Sequence, residues 1–298
     1  LRLVRRRIRT VKSTAKITRA QELIASSRII KAQQRVRAAE PYDREITRAV
    51  EAVVSRSSSV RHPLTTTPEH PTRAAVLILT SDRGFAGGYN ASVLREAQGL
   101  RALLDERGIE SVPFVVGRKG IIWHRFRQIE MAGEWSGFSD TPAAANASEI
   151  TAALLEAYRR PASEGGVDEI HLVHTEFVSM LTQRPAIRRI LPLEIVETTE
   201  EAPSGPVPLY EFEPSPEAVL DALLPWYVES RIFHALLDSA AAEIAARRRA
   251  MKSATDNAND LLDQLNLEAN KARQAEITQE ISEIVGGANA LAEATAGS

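Results

Sequence analysis

Cysteine is absent from the sequence, which excludes disulfides, thiolate metal sites and cysteine nucleophiles. Aromatic residues are scarce, at 5%, and alanine is abundant, a balance that suits helices better than sheets. No apolar run approaches the roughly 20 residues that span a bilayer, and no secretory signal opens the chain. The expectation is an intracellular protein that does not enter the membrane itself and could sit on one only through a partner. Both nucleotide fingerprints, GxxxxGK[ST] and a correctly placed GxGxxG, are missing. The six histidines are scattered. His171 and His174 stand three apart on a predicted strand, so they face opposite ways and cannot chelate one ion. No Ser–His–Asp set can be picked out. The sequence offers no catalytic, cofactor-binding or metal site.

Proline and glycine are missing where their absence matters most. Residues 250–291 (AMKSATDNANDLLDQLNLEANKARQAEITQEISEIVGGANAL) contain no proline, and their first glycine is Gly286. Ala, Leu, Gln, Glu, Lys and Arg dominate, the residues that lose least on entering a helix. The pattern begins near Pro216, with Ser215 placed as N-cap and Pro216 at the first helical position. A helix from there to about Ala294 would be roughly 120 Å long, against a diameter of about 50 Å for a compact globule of this chain length. Such a helix has to project and needs a partner helix or a surrounding protein. Pro225 predicts a local bend.

Residues 1–56 read as a second long helix of roughly 80 Å. Val4, Ile8, Val11, Ala15, Thr18, Glu22, Ala25, Ile29, Ala32, Val36 and Ala39 form a heptad-like seam, interrupted at Thr18 and Glu22. Pro41 predicts a kink or a break. The C-terminal helix has a seam of its own: Phe233, Leu237, Ala240, Ile244, Arg247, Met251, Ala254, Ala258, Leu261 and Leu265, shifting beyond that to Ile277, Ile281, Ile284, Ala288 and Leu291. The two helices pair most simply as a long antiparallel coiled coil.

Between them the period changes. Residues 57–72 form a Ser/Thr/Pro-rich linker, and 74–79 (AAVLIL) read as a buried strand. TSDRGFAGGYN follows, then a helix over 91–106 ended by Gly108, a strand over 111–116, GRKG, a short helix over 121–126, and a helix over 147–158. Strands over 169–178 and 187–196 form a hairpin around 182–185, and 198–214 is an acidic loop. Alternating strands and helices imply a small Rossmann-like α/β domain. The fold class is therefore mixed α/β and α+β, with domains at 1–56, 73–197 and 215–295.

Net charge is −2 but unevenly spread. Arg2, Arg5, Arg6, Arg7, Arg9, Lys12, Lys16, Arg19 and Arg28 surround the first seam, a face for nucleic acid, for solvent or for an acidic protein partner. Gly84, Gly87 and Gly88 in SDRGFAGGYN either cradle a phosphate at a helix N-terminus or make a tight turn that needs φ > 0. The missing fingerprints favour the turn. The last stretch, IVGGANALAEATAGS, is built of small residues. Gly286 and Gly287 each cost about 1 kcal/mol of helix stability, and the product is a slim, featureless rod able to sit in a narrow sleeve.

Three stretches together resemble one family, the γ subunits of F-type ATP synthases: RIRTVKSTAKITRAQELIASSR (7–28), SDRGFAGGYN (81–90) and RRRAMKSATDNANDLLDQLNLEANKARQAEITQEISEIVGGANAL (247–291). ITQEISEIVGGANA carries the family signature at Ile277, Thr278, Glu280, Glu283, Gly287 and Ala288. The resemblance implies a coiled coil inside a ring of three α and three β subunits, with the α/β domain below it against the ε subunit and the rotor ring of c subunits. It implies a non-catalytic rotary shaft coupling proton-driven rotation to ATP synthesis or hydrolysis on β. It also implies no cofactor, no nucleic acid, and a peripheral place on the cytoplasmic side of a bacterial cell membrane. Arg247, Arg273, Gln274 and Thr278 match positions where the family's shaft meets β loops, and the basic first helix would face an acidic loop of β. The chain departs from the plastid members in lacking a cysteine-bearing insert, and from many relatives in having Gln21 where they have methionine. Few Lys and Met among many Arg and Ala suggest a high-GC bacterium.

Overall fold

The computed structural model describes residues 2–56, 68–193 and 213–296, without the side chains of 55, 56 and 289–296. Most of the expected linker and of the acidic loop, and the last residues of the expected 187–196 strand, lie outside these. The order of elements is α1 (Arg2–Arg56), β1 (Arg73–Leu79), α2 (Tyr89–Glu106), β2 (Glu110–Val116), α3 (Arg118–Phe126), β3 (Gly133–Trp135), α4 (Ala144–Arg159), β4 (Glu169–Phe177), β5 (Gln183–Leu191) and α5 (Pro216–Ala296), with a single 3-10 turn at Ala162–Glu164. Two compact units divide the chain: Ala25–Arg247, and Leu1–Ile24 with Arg248–Ser298.

The larger unit is built on a five-stranded sheet in the order β3-β2-β1-β4-β5. The first four strands are parallel and β5 is antiparallel to β4. Period-two alternation splits β1 between two cores. Ala75, Leu77 and Leu79 join Ile150 and Leu154 of α4 and Leu220, Leu224, Val228 and Ile232 of α5. Ala74, Val76 and Ile78 join Val93, Leu100 and Leu104 of α2 and Ile121 of α3. Both faces are covered, which is why AAVLIL is apolar throughout. In the same unit Ala25, Ile29, Ala32 and Val36 of α1 pack on Leu237, Ala241, Ile244 and Ala245 of α5. Further along α1, Asp43 accepts bonds from Ser230 and Arg231, so the two helices run antiparallel.

Local chemistry sets the ends. The Ala218 N–H donates to the Ser215 hydroxyl at 3.3 Å, the expected cap of α5. The first N–H groups of α3 are taken by residues that follow β1: Arg118 donates to Asp82 Oδ1, Lys119 to the Ser81 carbonyl and Gly120 to Thr80 Oγ1. This close approach explains GRKG. Gly117 has φ +96°, and a Cβ there would sit 2.3 Å from the Thr80 carbonyl oxygen, so no other residue fits.

In the smaller unit the two interruptions of the α1 seam are both buried. Thr18 shares a hydrogen bond with Thr255 at 2.8 Å, and Glu22 pairs with Arg19 at 2.8 Å. A polar group inside a seam is thus satisfied rather than excluded.

Four expectations need correction. Pro41 does not break α1, and α5 likewise continues through Pro225, where a bend rather than a break is expected; a proline removes one donor, while the apolar stripes on either side still bury. The last hairpin turns at 178–182, and β5 lies four residues earlier than expected, with Pro185 inside it opposite Thr175. At the sheet edge its missing N–H costs no ladder bond. β3, only three residues long, lies between the helices expected over 121–126 and 147–158, where loop composition with Gly133, Gly137 and Pro142 hides it. In the α5 seam Thr255 is buried and Leu262 half-buried, while Leu261 is exposed.

Candidate functional site

In a doubly wound sheet the ligand crevice lies beyond the carboxyl ends of the strands, where the strand order reverses. Here that place is the end of β1 beside β4, followed by residues 81–90. Its donors and acceptors are already committed. The Ser81 N–H donates to Asn90 Oδ1 at 2.9 Å, and the Ser81 hydroxyl donates to the Arg83 carbonyl at 2.7 Å. Asp82 Oδ2 accepts the N–H groups of Gly137 and Ser139 at 2.7 and 3.0 Å. A carboxylate at the mouth of the loop works against phosphate. Gly87, at φ +57°, makes the turn, whereas a Cβ at Gly84 or Gly88 would make only ordinary contacts.

What fills the crevice is α5. Ala242 and Ala246 pack on Ala86 and Tyr89. The Thr175 N–H points to Ser239 Oγ at 3.4 Å. Arg247 reaches the Gly84 carbonyl from Nη2 at 3.3 Å and Glu243 Oε1 at 2.7 Å. Burial pushes the Glu243 carboxyl up, with Arg247 opposing, and burial beside Glu243 pushes the Tyr89 hydroxyl up as well. On the other side Asp140 ties Arg28 of α1 at 2.8 Å and Arg83 of the turn at 3.5 Å.

The residues singled out from the sequence fall into two places. Arg247 belongs to this crevice, with its side chain only 12% exposed. Arg273, Gln274, Ile277, Thr278, Glu280, Glu283, Gly287 and Ala288 lie in the smaller unit on an exposed length of α5. Ile277, Ile281, Ile284 and Val285 are among the exposed large hydrophobics. The Thr278 hydroxyl donates to the Gln274 carbonyl, and Gln279 donates to Glu283. A Cβ at Gly286 or Gly287 would meet nothing, so their helix penalty answers no need within the chain. His171 bonds Glu169 at 2.7 Å. His174 is buried, its pKa pushed down to about 4 by desolvation. Glu243 and Ser239 have no sequence signal beyond the i, i+4 spacing of Glu243 and Arg247 inside an alanine-rich run, while Asp82 and Tyr89 stand inside the singled-out 81–90 stretch without a role assigned to either.

A family model described as ATP synthase matches residues 1–291. An ATP synthase gamma chain of Acidothermus cellulolyticus is 60% identical over 98% of this chain and 97% of its own length. One of Thermobifida fusca is 58% identical over 100% and 98%. Among solved structures, a chain of the Euglena gracilis mitochondrial ATP synthase rotor aligns with TM-score 0.64 at 15% identity, covering 93% of this chain and 98% of that one. A chain of the Tetrahymena thermophila mitochondrial ATP synthase central stalk and c-ring aligns with TM-score 0.59 at 21% identity, covering 80% and 99%. These two show the fold.

Proposed function

The chain belongs to the gamma-chain family of ATP synthases, and from that premise we propose that it is the non-catalytic rotary shaft of a bacterial F-type, proton-translocating enzyme. The observation that carries the proposal is the stretch of α5 at 273–288. Every side chain there is exposed, apolar ones included, on a helix whose residues 240–246 are all buried. Exposed isoleucines at helical spacing are the surface of a shaft that turns against other subunits. Chemistry belongs elsewhere. The crevice where this topology would hold a nucleotide is filled by the chain's own helix, which supports a reading in which the chain takes no cofactor and catalysis belongs to the β subunits.

In this reading Arg273, Gln274 and Thr278 meet loops of β as the shaft turns, and the signature residues from Ile277 to Ala288 run inside the ring of α and β subunits. Arg247, bonded to Glu243 and the Gly84 carbonyl, serves within the chain instead. The basic first turns of α1 face an acidic surface of β. The sheet domain takes the ε subunit and the c-ring. Among the described residues no helix is long and apolar enough to cross a membrane, which accords with a peripheral subunit on the cytoplasmic face of the cell membrane.

The test is reconstitution. Purified α and β subunits are combined with this chain, a probe is fixed to the sheet domain, and ATP is added. One-way rotation is expected, with no ATPase activity in the isolated chain. ATP turnover by the chain alone, or a hexamer that turns over without ever rotating it, overturns the proposal.

A further inference from the structure

A shaft must be gripped as well as surrounded, and the larger unit shows where. Ser239, Glu243 and Arg247 recur at i, i+4 and i+8 along α5, so they form one line on its surface. The line faces the carboxyl end of the sheet. Ser239 lies by the Thr175 N–H and the Tyr89 hydroxyl. Glu243 is 1% exposed and pairs with Arg247 at 2.7 Å. Ser139, whose hydroxyl accepts the Asp82 N–H, faces the same carboxylate. The Arg247 guanidinium then reaches the Gly84 and Arg83 carbonyls. Ala242 and Ala246 beside the line present only methyl groups to Ala86 and Tyr89, and the α1 contact in this unit is likewise half alanine.

We propose that Glu243 is the positioning residue that fixes the rotational setting of α5 against the sheet domain, so that torque passes between them through the Glu243–Arg247 pair. This rests on the shaft reading above. Methyl-to-methyl contact is non-directional and resists a helix turning about its axis only through shape. A guanidinium fork held between a buried carboxylate and backbone carbonyls has one geometry. Buried ion pairs contribute little net stability for their desolvation cost; what this one supplies is a fixed angle. Glu243 acts through Arg247 and the 81–90 turn and touches no nucleotide.

The assembled synthase in inverted membrane vesicles gives the test, with ATP hydrolysis and ATP-driven proton pumping measured together. Glu243→Ala is expected to leave hydrolysis within about twofold of wild type while protons pumped per ATP fall several-fold. Glu243→Gln, which keeps the volume and one acceptor for Arg247, is expected to fall between. Ile232→Val, a core change on the same face of α5 that leaves the Glu243–Arg247 pair in place, controls for general loosening and keeps the wild-type ratio. A wild-type ratio in the Glu243 variants, or an equal drop in Ile232→Val, overturns the proposal. Where Glu243→Ala does not assemble, Glu243→Gln decides alone by the same ratio. A wild-type complex in which this chain drives no pumping would overturn the shaft reading instead, before Glu243 is in question.

Discussion

Two lengths of one helix have opposite surroundings. From Ala240 to Ala246 every side chain of α5 is buried, none more than 7% exposed. From 273 to 288 every one is exposed, with Ile277 at 49% and Ile284 at 72%. Both lengths are good helix formers, so propensity does not distinguish them. Side-chain size does. Alanine is short enough for the 81–90 turn and α1 to close on the helix within one unit. The isoleucines carry more apolar surface than the described residues of their own chain cover, and that surface is left for another protein. The order is the reverse of what an isolated globule would choose, which is why burial here reads as a division between what holds the shaft and what the shaft runs against.

Core truncation gives the sharpest contrast. Ile232→Ala, at a side chain with no exposure, is expected to cost about 2–5 kcal/mol in denaturant unfolding of the chain. Ile281→Ala is expected to stay within about 0.5 kcal/mol. Similar costs at the two sites would break the comparison.

Acid sharpens it next, because the larger unit buries His174 next to Glu176, Arg188, His234 and Arg231. Its folded pKa of about 4 lies below the ordinary histidine value of 6.5, so the unfolded chain takes up the proton first. The stabilisation is complete above about pH 6.5 and is lost as pH falls through 4, worth about 3 kcal/mol in all. Asp238 opposes it. Burial raises that carboxyl from 3.8 to about 6, with His234 pulling the other way, so its contribution is present below 3.8 and disappears as pH rises through 6. Asp238→Asn is therefore expected to stabilise the chain near pH 7 and to steepen its acid unfolding, while His174→Phe flattens it. Unfolding curves at pH 4.5, 6 and 7.5 check both.

A smaller effect tests the exposed length directly. Ile277→Asp, Ile281→Asp and Ile284→Asp combined are expected to lower ATP synthesis by the assembled enzyme about tenfold, near 1.4 kcal/mol, with the melting temperature of the isolated chain moved by no more than about 2 °C. A large fall in melting temperature would mean that the isoleucines serve the chain itself. The smallest is at the seam of the smaller unit. Thr18→Val or Thr255→Val alone leaves one buried hydroxyl without its cross-helix partner and costs about 1 kcal/mol, whereas the double variant is nearly neutral.

The sequence by itself determined whatever depends on neighbours along the chain. Helical composition and the Ser215 cap placed α5, heptad spacing named the buried α1 residues from Ala15 to Val36 but not Val50 and Val53, and the β1 run was apolar because both of its faces are covered. The signature from Ile277 to Ala288 was legible for the same reason, being one uninterrupted helical string. The tertiary structure decided what depends on residues distant in sequence. Edge position admits Pro185 into β5, and pairing with β2 makes a strand of three residues at 133–135. Packing turns Thr255 inward and leaves Leu261 out. Arg247 looked like one more seam position until the turn after β1, more than 150 residues earlier, supplied carbonyls for it to grip. Periodicity fixes which face of a helix is apolar; only the assembled neighbours fix which polar group on that helix has something to hold.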